Sequence, residues 1–404
     1  MAGLKLGSVN KVYPSGTMSL FDMNFGVNEG EFIVVLGGDG SGKSTLLKVI
    51  AGLEDASSGT VEIDGKDVTD AEPKDRNVAM VFRSNTLYPA LNVFDNMAFG
   101  LKLRKAPAAL IEQRVKAAAE ILGLTEVLYR KPKTLTAAQR QRVAVGRAIV
   151  REPKLYLFDE PLAGLDDKLA AELLNVIVNL QARMQGAFVY ATKNVSEALT
   201  IGTRIIVLKN GFIQQIDAPA NLYDYPANAY VAFYIGSPTI NFINKAEIVR
   251  DENGVYACEG ALKIKLADSI VKRFSNIDEY AGTGKKVVIG IRPEDASTGA
   301  DGFEAVCVKT EGESGVAFAE CEADGHALTV KCGGTLNRGD ATKISVNGER
   351  IYLFDGETRL TLLERDGGYA KTDFAEADYR PLSFAEEESI KEKFTPKKQE
   401  KKKR

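Results

Sequence analysis

The sequence predicts an α/β domain followed by a small all-β domain, with a charged tail behind them. Three observations carry this prediction. Up to about Tyr234 short, wholly apolar runs alternate with helical patterns; a glycine-rich stretch joins one of those runs directly to a helix; and beyond Gly236-Ser237-Pro238 apolar and polar residues alternate over shorter stretches. The implied limits are 1–235, 236–365 and 366–404, and a chain of 404 residues is long enough for more than one core.

Within the first part, Glu31-Phe32-Ile33-Val34-Val35-Leu36, Leu155-Tyr156-Leu157-Phe158, Phe188-Val189-Tyr190-Ala191 and Arg204-Ile205-Ile206-Val207-Leu208 read as strands buried on both faces. Such strands belong to a parallel sheet covered by helices. Leu169, Leu173, Leu174, Ile177 and Val178 recur at helical spacing and predict one helix face packed on that sheet. In the second part, Leu262-Lys263-Ile264-Lys265-Leu266 and Ala341-Thr342-Lys343-Ile344-Ser345-Val346 alternate between glycine and asparagine turns, which predicts a small β-barrel. From about Asp366 the apolar pattern fades, and Lys397-Lys398-Gln399-Glu400-Lys401-Lys402-Lys403-Arg404 is almost all charge, so a disordered, solvated tail is expected there.

A formal net charge of −3, with 45% hydrophobic and 26% charged residues, gives no global attraction to nucleic acid or to an anionic membrane. No run reaches the roughly 18 apolar residues of a spanning helix, and residues 1–16 lack the order of a signal peptide, so a cytoplasmic protein is expected. Cys258, Cys307, Cys321 and Cys332 have no C-x-x-C spacing, and His326 is the sole histidine. They read as buried or half-buried thiols of a reducing compartment, not as a metal site. His326 follows the turn signal Asp324-Gly325 and is expected on a surface loop.

The chemistry begins at Gly37-Gly38-Asp39-Gly40-Ser41-Gly42-Lys43-Ser44-Thr45, a G-x-x-x-x-G-K-[ST] segment placed after a buried strand and before a helical run. Glycines let successive N–H groups turn inward around phosphates, and the helix adds its positive end. Lys43 reaches the outer phosphates and Ser44 can ligate Mg²⁺. The first domain is therefore read as a P-loop NTPase. The strand 155–158 ends in Asp159-Glu160, which brings two carboxylates to the carboxyl edge of the sheet: Asp159 for the metal, through water, and Glu160 for polarising an attacking water. Tyr352-Leu353-Phe354-Asp355-Gly356 imitates that pattern without a preceding P-loop and is read as coincidence.

With these motifs the chain resembles the ABC ATPases over nearly all of residues 1–365. Leu135-Thr136-Ala137-Ala138-Gln139 stands where that family has its L-S-G-G-Q signature, Leu165-Asp166 matches the end of the D-loop, and Tyr13 falls where an aromatic stacks on adenine. Asp75-Arg76-Asn77-Val78-Ala79-Met80-Val81-Phe82, Leu87-Tyr88-Pro89 and Asn96-Met97-Ala98-Phe99-Gly100-Leu101 look like the carbohydrate-importer branch. Gly290-Ile291-Arg292-Pro293-Glu294-Asp295 is similar to its C-terminal regulatory barrel, the OB-like or TOBE domain. The resemblance implies a helical subdomain at about 84–150 and ATP with Mg²⁺ as cofactors. It also implies transmembrane permease subunits and a second ABC ATPase subunit as partners, an extracytoplasmic solute-binding protein as an indirect one, and a place on the inner face of the cell membrane. In such dimers the segment 135–139 and Asp166 face a nucleotide held by the other subunit.

The departures are as informative. The Q-loop glutamine is Arg83, the H-loop histidine is Lys193, the signature glycines are Ala137 and Ala138, the D-loop serine is Ala163, and Asp39 adds a carboxylate to the P-loop. Lysine has donors only and cannot bridge water, Glu160 and phosphate as histidine does; arginine replaces a neutral amide with a rigid cation. The expectation is a degenerate ATPase subunit of a carbohydrate importer, paired with a standard subunit. The alternative is a non-hydrolysing, nucleotide-binding regulatory or scaffold protein.

Overall fold

The computed structural model describes residues 2–365 other than 85, 185, 312–316, 333 and 335, together with 383 and 385–389. The described residues up to 219 form one compact unit and those from 220 a second.

The first unit is built from β1 (Ala2–Val12), β2 (Met18–Asn28), β3 (Phe32–Leu36), α1 (Lys43–Ala51), β4 (Ser58–Ile63), β5 (Lys66–Asp67), β6 (Val78–Val81), α2 (Val93–Leu103), α3 (Ala108–Ile121), α4 (Ala137–Ile149), β7 (Leu155–Asp159), α5 (Asp167–Arg183), β8 (Ala187–Thr192), α6 (Val195–Ile201), β9 (Arg204–Lys209) and β10 (Phe212–Asp217). A four-stranded sheet runs β2-β1-β4-β5 and a six-stranded one β10-β9-β3-β8-β7-β6, the latter parallel except for β10. Every residue of β3, β7 and β8 is buried, as their unbroken apolar runs require. Alternate residues divide between the two faces. Ile33, Val35, Leu157, Val189 and Ala191 pack with Leu46, Leu47 and Ile50 of α1 and with the four-stranded sheet. Phe32, Tyr156, Phe158, Phe188 and Tyr190 form a chain of ring contacts on the other face. Because β3, β6, β7 and β8 are parallel, the residues that follow them emerge at one edge of the sheet, which is where a ligand crevice forms in such folds.

Helices α2, α3 and α4 pack on one another, and the fully buried Asn96 holds the approach to α2 by donating to the carbonyls of Tyr88, Leu91 and Asn92 and accepting from the Tyr88 N–H. In α5 the buried face is narrower than its sequence suggests: Leu173, Ile177 and Leu180 are buried, Leu169 and Leu174 only partly, and Val178 is exposed.

The second unit holds α7 (Pro219–Asp224), α8 (Ala229–Tyr234), β11 (Asn241–Asp251), β12 (Gly254–Glu259), β13 (Leu262–Lys265), α9 (Asp268–Arg273), β14 (Lys286–Ile291), β15 (Ala296–Gly299), β16 (Phe303–Glu311), β17 (Ala317–Ala323), β18 (His326–Cys332), β19 (Ala341–Val346) and β20 (Ile351–Asp355). A closed barrel, β15-β18-β17-β16-β19, stands with an open sheet, β13-β12-β11-β14-β20. Residues 220–235, assigned to the first domain from composition, fold here. The buried Arg292 donates to the carbonyls of Tyr223, Ala232 and Ile235 and lies 4.1 Å from the Tyr223 ring centre. Ala229 and Ala232 also pack on Val288 and Phe354.

Smaller expectations resolve in the same unit. His326 is not in a loop: Asp324-Gly325 makes the turn between β17 and β18, and His326 pairs with Ala323 as the first residue of β18, its Nε2 3.5 Å from Glu259. Cys307 and Cys321 are buried, Cys258 and Cys332 half-buried, and all are free thiols. Asp355 of the imitation motif serves structure, accepting from Tyr280 and from the turn at Thr358. Residues 366–382, 384 and 390–404 of the tail lie outside the described residues. Within the tail 385–389 are helical where disorder is expected, because Ser383 and Glu386 cap each other's backbone N–H.

Candidate functional site

Gly37 through Gly42 link β3 to α1, whose first residues are Lys43, Ser44 and Thr45. Gly42 has φ 106° and a Cβ there would stand 2.6 Å from the Ser19 carbonyl oxygen, so only glycine makes this turn. The Gly37 N–H donates to the Thr192 carbonyl at 3.3 Å, tying the loop to the end of β8. Lys43, 4% exposed, donates to the Gly37 and Gly38 carbonyls, each at 2.9 Å, and its Nζ lies 3.4 Å from Glu160 Oε1. Ser41 Oγ is buried with no hydrogen-bond partner among the described residues, an orphan polar atom that a phosphate oxygen would satisfy. The half-buried Tyr13 sits with its hydroxyl 3.3 Å from Thr45 Oγ1, and Lys11 lies over its ring.

Ser44 Oγ donates to Asp159 Oδ1 at 2.8 Å, so the hydroxyl and carboxylate expected to serve a hard cation do meet. Burial pushes the Asp159 carboxyl up from its ordinary value, against the pull of the Ser44 hydrogen bond. Among the described residues no cluster of three or more His, Cys, Asp or Glu could hold a metal, so a cation here would draw its other ligands from phosphate and water. Glu160 follows with φ 46°, a left-handed conformation costly for a non-glycine residue, and its N–H is fixed by the Ala191 carbonyl at 2.9 Å. That strained turn aims the carboxylate toward Lys43.

Both substituted positions also reach the site. Arg83 Nη1 lies 3.3 Å from Glu160 Oε2, so each oxygen of that carboxylate has a cation beside it. Lys193 Nζ lies 3.0 Å from Asp39 Oδ2, and Lys193 holds the exposed Asp39 carboxyl below the ordinary range. The base of Lys193 is fixed by a network that sequence reasoning missed. Glu197 accepts from the Tyr190 and Thr192 hydroxyls, Thr192 Oγ1 accepts from the Asn194 N–H, and Asn194 caps α6. Asn194-x-x-Glu197 is a helix-start signal that would have found it. The structural role of Arg76, read from the sequence only within an importer-like stretch, was missed as well; it is 4% exposed and donates to the carbonyls of Val49 and Ile50 at the end of α1 and of Thr69 and Ala71. No local motif marks it.

The segment 135–139 is not joined to the P-loop by any hydrogen bond or ion pair among the described residues. Thr136 caps α4, accepting from Gln139 N–H while Gln139 accepts from Thr136 N–H. Leu135 and Ala138 are buried in the helical region and Ala137 is exposed. Of these residues, Leu135 and Ala138 can therefore offer a ligand no more than backbone. Asp166 caps α5 through Leu169 N–H at 3.0 Å.

A glycine cradle, a buried lysine and two carboxylates at the carboxyl edge of a parallel sheet define the class: an ATPase of the P-loop kind. Residues 20–163 match the family described as ABC transporter, and residues 236–296 that described as MalK OB fold domain. The oligosaccharides import ATP-binding protein MsmX of Bacillus subtilis (strain 168) is 39% identical over 374 residues, spanning 90% of this chain and 100% of that protein. The trehalose/maltose import ATP-binding protein MalK of Thermococcus litoralis is 45% identical over 301 residues, spanning 73% and 79%. Among solved structures, cbiO1 from Clostridium perfringens, part of the ABC transporter complex cbiONQ, superposes with a TM-score of 0.51 at 29% identity, covering 55% of this chain and 90% of that one. The chain belongs to the ABC transporter ATP-binding family.

Proposed function

We propose that this chain is the ATP-binding subunit of an importer for a carbohydrate or related solute and works as the degenerate member of a heterodimer. The observation that carries the second half is the Arg83–Glu160 pair at 3.3 Å. A carboxylate that must orient an attacking water is least effective when cations lie against both of its oxygens, because those oxygens are then already engaged. The same positive charge attracts ATP in ground and transition states alike, which supports binding without supporting chemistry. Ser44 and Asp159 would hold Mg²⁺, which would offset phosphate charge, and Tyr13 would stack on the base.

In this reading Thr136, Ala137, Ala138, Gln139 and Asp166 close over the nucleotide of the partner ATPase subunit, and hydrolysis proceeds at that partner's P-loop. Contact with permease subunits at the inner membrane face is supported by a cleft of about 850 Å³ between the end of α1, β6 and the helical region, lined among others by Leu53, Tyr88, Phe99, Leu103, Arg147 and Arg151. Leu103 is 69% and Leu53 47% exposed there, and Arg151 Nε is buried without a partner among the described residues, so an amphipathic, acid-bearing helix fits it. Among the described residues no helix is long and apolar enough to cross a membrane.

The test is ATP binding and turnover by the purified chain, alone and mixed with a standard subunit. Binding that Lys43→Ala removes, with slow turnover until the standard subunit is added, is the expected result. Brisk turnover by the chain alone would overturn the degenerate-partner reading.

A further inference from the structure

Asp39 stands in the phosphate cradle, where a carboxylate repels the ligand that its neighbouring amides attract. Lys193 stands at the end of β8, and the two positions are tied together at the backbone by the Gly37 N–H to Thr192 carbonyl bond. Their side-chain atoms meet at 3.0 Å although the residues are 154 positions apart in the chain. Both tips are half or more exposed, at 69% for Asp39 and 50% for Lys193, whereas the base of Lys193 is fixed through Thr192, Asn194 and Glu197. The pair thus has an anchored root and an exposed contact. Exposed ion pairs are weak, so this one exchanges partners readily when a better anion arrives.

The terminal phosphate of a triphosphate is such an anion. Lys43 marks where the outer phosphates lie, and Lys193 leaves a strand adjacent to the one that delivers Glu160 beside Lys43. A diphosphate lacks the group that would reach Lys193. We propose that Asp39 and Lys193 form an exchangeable clasp at the mouth of the cradle, opened by the terminal phosphate of ATP and left closed by ADP, so that the pair sets how sharply the site tells the two apart. This rests on the nucleotide-site reading above and adds a specificity role for the pairing of Asp39 with Lys193. The cost of parting Lys193 from Asp39 is incurred only with ATP, and removal of Asp39 abolishes it.

The experiment is equilibrium titration of the full chain with Mg-ATP and with Mg-ADP, for the native protein, Asp39→Ser, Lys193→Gln and the double variant, at low and at physiological salt. Asp39→Ser relieves repulsion in every background, but only with Lys193 present does it also remove the ion pair that competes with the terminal phosphate for that lysine. It should therefore tighten ATP binding about threefold more with Lys193 than in the Lys193→Gln background, a factor typical of an exposed ion pair. For ADP it should change affinity by the same factor in both. The excess should shrink as salt is raised. Equal factors for ATP and ADP would overturn the clasp while leaving the nucleotide site standing. No bound nucleotide in any variant, with circular dichroism unchanged, would overturn the nucleotide site itself and the clasp with it. Asp39→Asn, which keeps the shape and removes the charge, should behave as Asp39→Ser; if it behaves as the native chain, charge is not the cause and the clasp fails.

Discussion

Glu160 is where single side chains decide most. With Arg83 on one oxygen and Lys43 near the other, its carboxylate is screened from water. Arg83→Gln should raise turnover of the chain by about tenfold or more, the scale of one preorganised contact, with ATP affinity equal or slightly weaker. A steady-state assay beside a binding titration checks both. Asp159 gives a pH prediction. Burial raises its folded pKa, so it takes up a proton at higher pH than an ordinary aspartate. The group therefore favours the folded state in acid and disfavours it as pH rises through that value, while its capacity to hold a cation runs the other way. The Mg²⁺-dependent part of ATP affinity should fall more steeply on acidification in the native chain than in Asp159→Asn, the difference being the contribution of this carboxyl. Lys43, Ser44, Asp159 and Glu160 were legible because a fixed spacing and a strand end define their roles. The Asp39–Lys193 contact was not, since a long-range side-chain pairing leaves no trace in local pattern.

At the level of elements, strands were easier to read than helix faces. The unbroken runs of β3, β7 and β8 can only be buried on both sides, whereas the row of leucines in α5 continues one step too far. Val178 follows Ile177 by about 100° around the helix axis and so leaves the packed face. The start of α4 joins structure to function. Thr136 holds the first turn through Gln139, so Thr136→Ala should cost about 1 kcal/mol in a denaturant melt and fray the segment read as facing the partner's nucleotide. Thr136→Ser keeps the cap and should keep the stability. The tail shows the same signal overlooked: Ser383 and Glu386 form a capping box in a stretch whose composition reads as disordered.

Across the whole chain, the second compact unit begins before the composition change at 236–238, and Arg292, just after β14, holds residues that precede that change. Among the described residues, one buried apolar cluster of the first unit spans residues 4–213 and one of the second spans 243–363. Calorimetry should resolve a transition for each, and Mg-ATP should raise only the one that Lys43→Ala leaves insensitive. Arg292→Leu would leave buried carbonyls unsatisfied at about 1–3 kcal/mol each and should lower the other transition alone. Lys43, Glu160, Arg83 and Lys193 gather where β3, β6, β7 and β8 end, whereas the opposite rim carries Gly30 before β3 and the exposed Lys154 before β7. A dye, an affinity handle or a surface tether introduced through Lys154→Cys would sit a full strand length from the phosphates, and would report on the protein without disturbing what it reports.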